Sequence, residues 1–213
     1  MGITKKHIII ACLIVGVIIF AYFVLDAKGK QREIEGLGEP VQGDATGRVQ
    51  MSLSGFDLNI KYLKSYQIDA LVVGVEDYSL GGVGDDLVPR DLALVWGKVA
   101  EYNTRCGFDW SQSGRWYRWR APSYEALKPV GDVTYVNQHS SNNHLIAADE
   151  VVKNRISKVK VGDEVIISGF LVDVSGKNDK GETFSWTSST SRTDTGAHSC
   201  ELIYVTDMDV IKQ

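Results

Sequence analysis

The sequence predicts a mainly β, β-rich α+β protein: one N-terminal transmembrane helix, then a small antiparallel sheet or OB-like barrel with one packed helix. Three observations carry this. Residues Ile8 to Leu25 form an uncharged apolar run, the rest of the chain breaks into short β-branched or alternating segments separated by glycine turns, and only one stretch has a helical period.

The run IIIACLIVGVIIFAYFVL is eighteen residues long, which at 1.5 Å per residue just spans a hydrocarbon core of ~30 Å. In lipid its backbone groups must pair internally, so it is helical there. It is too long for a signal-peptide core and lacks a small-x-small cleavage site behind it. Lys5 and Lys6 precede it and Lys28, Lys30 and Arg32 follow, so flanking charge is nearly balanced. A short basic N-terminus leading straight into the span favours a cytoplasmic tail with the domain outside. The expectation is a single-pass protein of a bacterial inner membrane with a periplasmic domain.

Residues 26–50 are polar and carry five glycines and Pro40, a composition expected to form a flexible linker. The domain is then expected over 51–213, with residues 1–25 as tail and anchor. Beyond the anchor, 27 acidic residues face 21 basic ones, because two of the 23 lysines and arginines precede the span; the net charge there is −6. An acidic domain is not built to attract nucleic acid nonspecifically, and none is expected as a partner.

Within the domain, 66–75, 91–95, 114–120, 183–188 and 201–206 read as strands. Residues 148–159 read as the helix, with Val152, Ile156 and Val159 on one face and Asp149 and Glu150 in its first turn. The Gly162-Asp163 turn launches a long strand that Gly169 interrupts, as at a bulge or barrel corner. A hairpin turn follows at 175–181. Gly81-Gly82-Val83-Gly84 lacks the Lys-Ser/Thr of a phosphate loop and reads as a flexible turn.

Three segments could carry chemistry. In Trp110–Arg120, a strand would send Arg115, Tyr117 and Trp119 one way and Trp116, Arg118 and Arg120 the other. Arginines among aromatics suit stacking or phosphate pairing; the alternative is that the aromatics fill core and the arginines rim it. Residues 137–144 bring His139 and His144 amid Asn and Ser, and are read as a polar stretch before the helix. Residues 187–201 bring Arg192, Asp194, His198, Cys200 and Glu201. These residues supply ligand types for zinc or a Cys/His or Ser/His pair, but no spacing matches a ligand box, and neither a metal nor another cofactor is expected. A structural polar network is the competing reading. Cys106 and Cys200 are the candidate disulfide in an oxidising compartment; two unrelated buried thiols are the alternative.

The segments Asp91–Gly97, Trp110–Trp119, His139–Ile146 and Trp186–Gly196 with Cys200-Glu201 together resemble a family of uncharacterised bacterial proteins. The likeness covers roughly 65–206. It implies an N-terminal membrane anchor and a single domain, and carries no activity. It marks His139, His144, Arg192, Asp194, Cys200 and Glu201 as shared positions; where His198 stands the family pattern has a small residue, which weakens a three-histidine zinc site. The sequence therefore predicts a membrane-tethered binding or assembly module with a protein partner in the envelope. Its ligand-binding candidates are Arg115, Trp116, Arg118, Trp119, His139, His144, Arg192, Asp194 and Glu201. The rival expectation is a metal- or thiol-dependent hydrolase built on His139, His144, Asp194 and Cys200.

Overall fold

The structure, a computed structural model, describes residues 13–17, 29–191 and 200–211. Most of the expected span, with Arg192, Asp194 and His198, lies outside these; residues 13–17 are helical. No helix among the described residues is long and apolar enough to cross a membrane.

The protein is mainly β. Among the described residues ten strands run in chain order: β1 Val41–Asp44, β2 Arg48–Leu53, β3 Phe56–Asp77, β4 Arg90–Val95, β5 Asp109–Ser113, β6 Trp116–Arg120, β7 Ser140–Ala147, β8 Glu164–Asn178, β9 Thr183–Thr187 and β10 Glu201–Ile211. Between them lie four short helices: α1 Val83–Leu87, α2 Gly97–Glu101, α3 Val133–Gln138 and α4 Glu150–Ile156.

Five strands close on themselves. β3 pairs with β4, β4 with β7, β7 with β10, β10 with β8, and β8 again with β3. Four of these pairings are antiparallel; β7–β10 is parallel, so the ring is not the purely antiparallel sheet that was the simpler expectation. Closure leaves each of the five ring strands paired on both sides. β1 and β2 extend the sheet beside β3, β9 extends it beside β8, and β5–β6 form a separate hairpin.

Length makes closure possible. β3 has 22 residues, pairs with β8 from Phe56 to Leu71, and turns its last residues to β4 past an irregularity between Val72 and Gly74. Gly169 of β8 sits opposite Tyr66 and Val205, where an added Cβ would lie 2.1 Å from the Tyr204 carbonyl oxygen. The register shift there belongs to β10, between Val205 and Asp207. Gly169 thus permits close strand approach beside a bulge rather than forming one.

The expected strands all appear, and the expected helix appears as the shorter α4, capped by Asp149, whose side chain accepts from Val152 N–H. Three features differ from expectation. Residues 29–50 are not a free linker: Gly29 bridges Val161, Gln31 Nε2 donates to Val73 O at 2.7 Å, Leu37 is buried, and β1 and β2 pair with β3. Side-chain hydrogen bonds and two apolar plugs, Ile34 and Leu37, hold a segment whose composition alone would not. The run 140–144 is not a polar stretch outside the sheet but most of β7, buried along almost its whole length. The turn at 81–84 opens α1.

Two apolar clusters fill the domain. The larger lies among β3, β4, β7, β8, β10 and α4; the smaller gathers Leu58, Ile60, Val172, Val174, Leu202 and Ile146 with Leu87 and Val88 at the end of α1.

Candidate functional site

Ser113 pairs with Trp116, leaving Gly114-Arg115 as a two-residue hairpin turn. Both residues have positive φ, 60° and 70°, as a type I′ turn demands. An arginine there is unfavourable, because its Cβ crowds the following carbonyl. The surroundings fix it. Arg115 N–H donates to Tyr78 Oη at 2.8 Å; Nη1 donates to Val88 O at 2.8 Å and Asp91 Oδ1 at 2.9 Å; Nη2 donates to Asp85 Oδ1 at 2.7 Å. Its guanidinium lies 3.6 Å from the Tyr78 ring centroid and 5.4 Å from that of Trp186.

Asp91, fully buried at the start of β4, is the hub. Register places it opposite His144 and places Ala93 opposite Asn142, so both β7 side chains share its face. Asn142 Nδ2 donates to Asp91 Oδ2 at 3.2 Å and to Arg115 O at 3.0 Å, while its Oδ1 accepts from Gln112 Nε2 at 2.8 Å. His144 Nδ1 stands 2.9 Å from Asp91 Oδ1, close in distance but off the line of a directed hydrogen bond. Its ring lies 4.7 Å from that of Trp186. Burial first, then the Asp91 carboxylate, pushes the Tyr78 hydroxyl up to about 12. One cation facing two carboxylates, with polar neighbours turned inward, makes a closed network.

The other expected residues do not join it. His139 caps the C-terminal end of α3, stacks on Tyr135 with centroids 3.6 Å apart, and reaches Glu39 Oε1 at 2.6 Å. Glu39 also accepts from Trp96 Nε1 at 2.9 Å. Four steps of extended chain lead from Ser140 to His144, about 13 Å at ~3.3 Å per step, so His139 and His144 cannot share one ion. Among the described residues no three His, Cys, Asp or Glu side chains are grouped to hold a metal. On the hairpin the expected alternation holds: Tyr117 and Trp119 turn inward, Trp119 donating to Asn137 Oδ1 at 3.0 Å, while Trp116, Arg118 and Arg120 are exposed. Glu201 is buried where β10 begins, beside Asn143. No disulfide joins Cys106 to Cys200; Cys106 is buried in the larger core, where burial raises its thiol pKa.

The network has a second side. Residues 86–90, bracketed by the Asp85 and Asp91 anchors, wall a cavity of about 680 Å³. Its interior is apolar, with Leu53, Leu87, Pro89, Ile146, Ala148 and Ile156 among its lining. Such a volume suits a small organic ligand. Arg90 closes one flank: it grips Asp77 at 2.6 and 2.8 Å, and Nη1 donates to Ile156 O, Ser157 O and Val159 O at 3.2, 2.8 and 3.1 Å. Asp86 and Asp149 stand at the mouth; Asp86 accepts from Ser54 Oγ and Asp149 caps α4. Nothing in the sequence marked this cavity, because its walls come from four separated segments and its acids look like ordinary capping and turn residues. Comparison with protein-family models, with curated proteins and with solved structures finds no match for this chain.

Proposed function

We propose that this protein is a non-catalytic binding module, tethered by residues 8–25 to a bacterial inner membrane with its domain on the periplasmic side, which holds a small ligand in the cavity behind residues 86–90. The observation that carries the reading is the division of labour around Asp91. The residues best suited to acid–base chemistry, Asp91 and His144, are both buried, with Asp91 committed to Arg115 and His144 packed beside it against Trp186, while the open space beside them is apolar. A site of that kind recognises shape and hydrophobic surface and has no nucleophile poised within it.

Strand order supports an OB-like barrel: β3-β4-β7-β10-β8 closing on β3, a parallel β7–β10 pair, and α4 inserted between β7 and β8. In that architecture ligands approach the second and third strands and their neighbouring loops, here β4, β7 and the segment 78–89. The apolar run before Gly29 supports the tether. Gly29 is already bridged to Val161, so the domain would stand within a few residues of the bilayer. The test is ligand screening of the full chain in lipid nanodiscs, scored by thermal shift and by Met51, which lines the cavity. Turnover of any hit, lost in His144→Ala with the fold intact, would replace this reading by the hydrolase.

A further inference from the structure

Resting on that reading, we infer that the cavity takes an amphiphilic amine: a short apolar chain ending in one protonated nitrogen. Its interior is aliphatic and its charged groups are gathered at the mouth. Those charges are unequal. Arg90 is spent on Asp77 and three backbone carbonyls, and Lys153 sits 3.2 Å from Glu150, whereas Asp86 and Asp149 have only neutral donors, Ser54 Oγ and the Val152 N–H. Two carboxylates with no cation beside them among the described residues, flanking an apolar hollow, complement an ammonium head on a hydrocarbon tail.

A small molecule fits better than a peptide. Along the α1 and α4 walls several backbone groups are already used: Ile156 and Ser157 carbonyls by Arg90, Val88 N–H by Gly84 O, Ala148 N–H by Val205 O, so a peptide would find few partners on that side. Position agrees with an amphiphile. Arg90 reaches Val159, two residues before the Val161 bridge to Gly29, so this flank lies at the end where the tether enters.

The experiment uses the full chain in zwitterionic nanodiscs with ¹³C-methyl methionine, titrated with hexylammonium, hexanol and hexanoate. Met51 reports the cavity and Met208, fully buried in the core, reports the fold. Hexylammonium is expected to shift Met51 at about tenfold lower concentration than hexanol, the size of one charge-assisted contact, with hexanoate weakest. The double variant Asp86→Asn, Asp149→Asn keeps an N-cap on α4, since Asn caps as well as Asp; in it the amine should bind no better than the alcohol. Should that protein lose its native Met208 signal, Asp86→Asn alone, on an exposed position, serves instead, and there the amine's advantage over the alcohol should shrink at least about threefold. Equal binding of amine and alcohol overturns the amine assignment and leaves the binding cavity standing. Tighter binding of hexanoate, or of an apolar lysine tripeptide over hexylammonium, also overturns it. No Met51 shift with any probe, while Met208 stays native, removes both the assignment and the proposed function.

Discussion

Arg115 donates to Asp91 across 2.9 Å from a turn position that arginine disfavours, with φ of 70°. Backbone strain of that kind persists only where surrounding contacts over-determine it. Here the contacts join three parts far apart in sequence: the β5–β6 tip, α1 and the β4–β7 pair. The result is a rigid wall for the cavity.

Arg115→Ala should therefore cost stability well beyond a surface substitution. It leaves Asp91 buried without its cation, and breaking such a pair costs ~3 kcal/mol once the partial exposure of the guanidinium is discounted. For a domain of this size that lowers Tm by about 6–12 °C. Arg115→Gly should lose about 1 kcal/mol less, because glycine relieves the turn. Thermal unfolding followed by near-ultraviolet circular dichroism decides it; an Arg115→Ala protein as stable as the parent would show the network to be ornamental.

Tyr78→Phe probes the same network from the other side. The hydroxyl accepts the Arg115 N–H, and leaving that partly buried donor unpaired should cost ~1–2 kcal/mol. The ionisation also carries a signature. Because burial, then Asp91, pushes Tyr78 up to about 12, the folded state disfavours the phenolate. The stability it contributes is whole below its ordinary value of 10.0 and is lost as pH climbs towards 12. Absorbance at the tyrosinate band should thus be the same in parent and variant until about pH 11 and diverge only above it. Divergence beginning near pH 10 would contradict the geometry.

Much of the β architecture was legible, because alternation and β-branching do not depend on partners. β7 was not. Ser140, Ser141, Asn142 and Asn143 disfavour strands in isolation, and partners distant in sequence, Asp91, Gln112, Tyr117 and Leu92 O, together with local bonds from Ser140 to Val136 O and from Asn143 to Ser141, make their burial tolerable. The segment 29–50 was misjudged for a related reason: its hold on the domain rests on long-range partners, namely the pairing of β1 and β2 with β3, the plugs Ile34 and Leu37 and hydrogen bonds such as Gln31 to Val73 O, which composition cannot register. The Trp110–Arg120 strand revealed its faces, but not that Arg115 would leave the strand to become the turn. Grouping His139 with His144 failed because the strand between them sets them apart.

Gly169→Ala should disrupt the closure of the barrel. The new methyl would meet a backbone oxygen at 2.1 Å, which no side-chain rotation relieves, so β8 and β10 must separate. A loss above ~3 kcal/mol is expected, at the upper end for overpacking. Gly38→Ala is the control: its Cβ meets nothing within 4 Å and its backbone is unstrained, so stability should move by no more than ~0.5 kcal/mol. Comparable losses in the two would mean that close β8–β10 approach is not what the glycine secures.

A pH dependence follows from Asp69 and Glu164, neighbours on β3 and β8. Burial raises the pKa of both carboxyls; Glu164 is raised further by the Asp69 charge and by donating its proton to Asp69, against the opposing pull of Arg32 at 4.0 Å. The folded protein therefore binds protons here more tightly than the unfolded chain. The pair's contribution is fully present below the ordinary carboxylate range and is lost as pH rises through the raised folded values. Asp69→Asn removes one of the two charges that must coexist at neutral pH, while keeping a polar group that can still meet Glu164. Tm measured from pH 4 to 7.5 should show the variant level with the parent at the acid end and more stable at pH 7. A variant less stable than the parent at pH 7, with the two curves parallel throughout, would mean that Asp69 is held as a carboxylate by the fold and that its repulsion with Glu164 costs nothing.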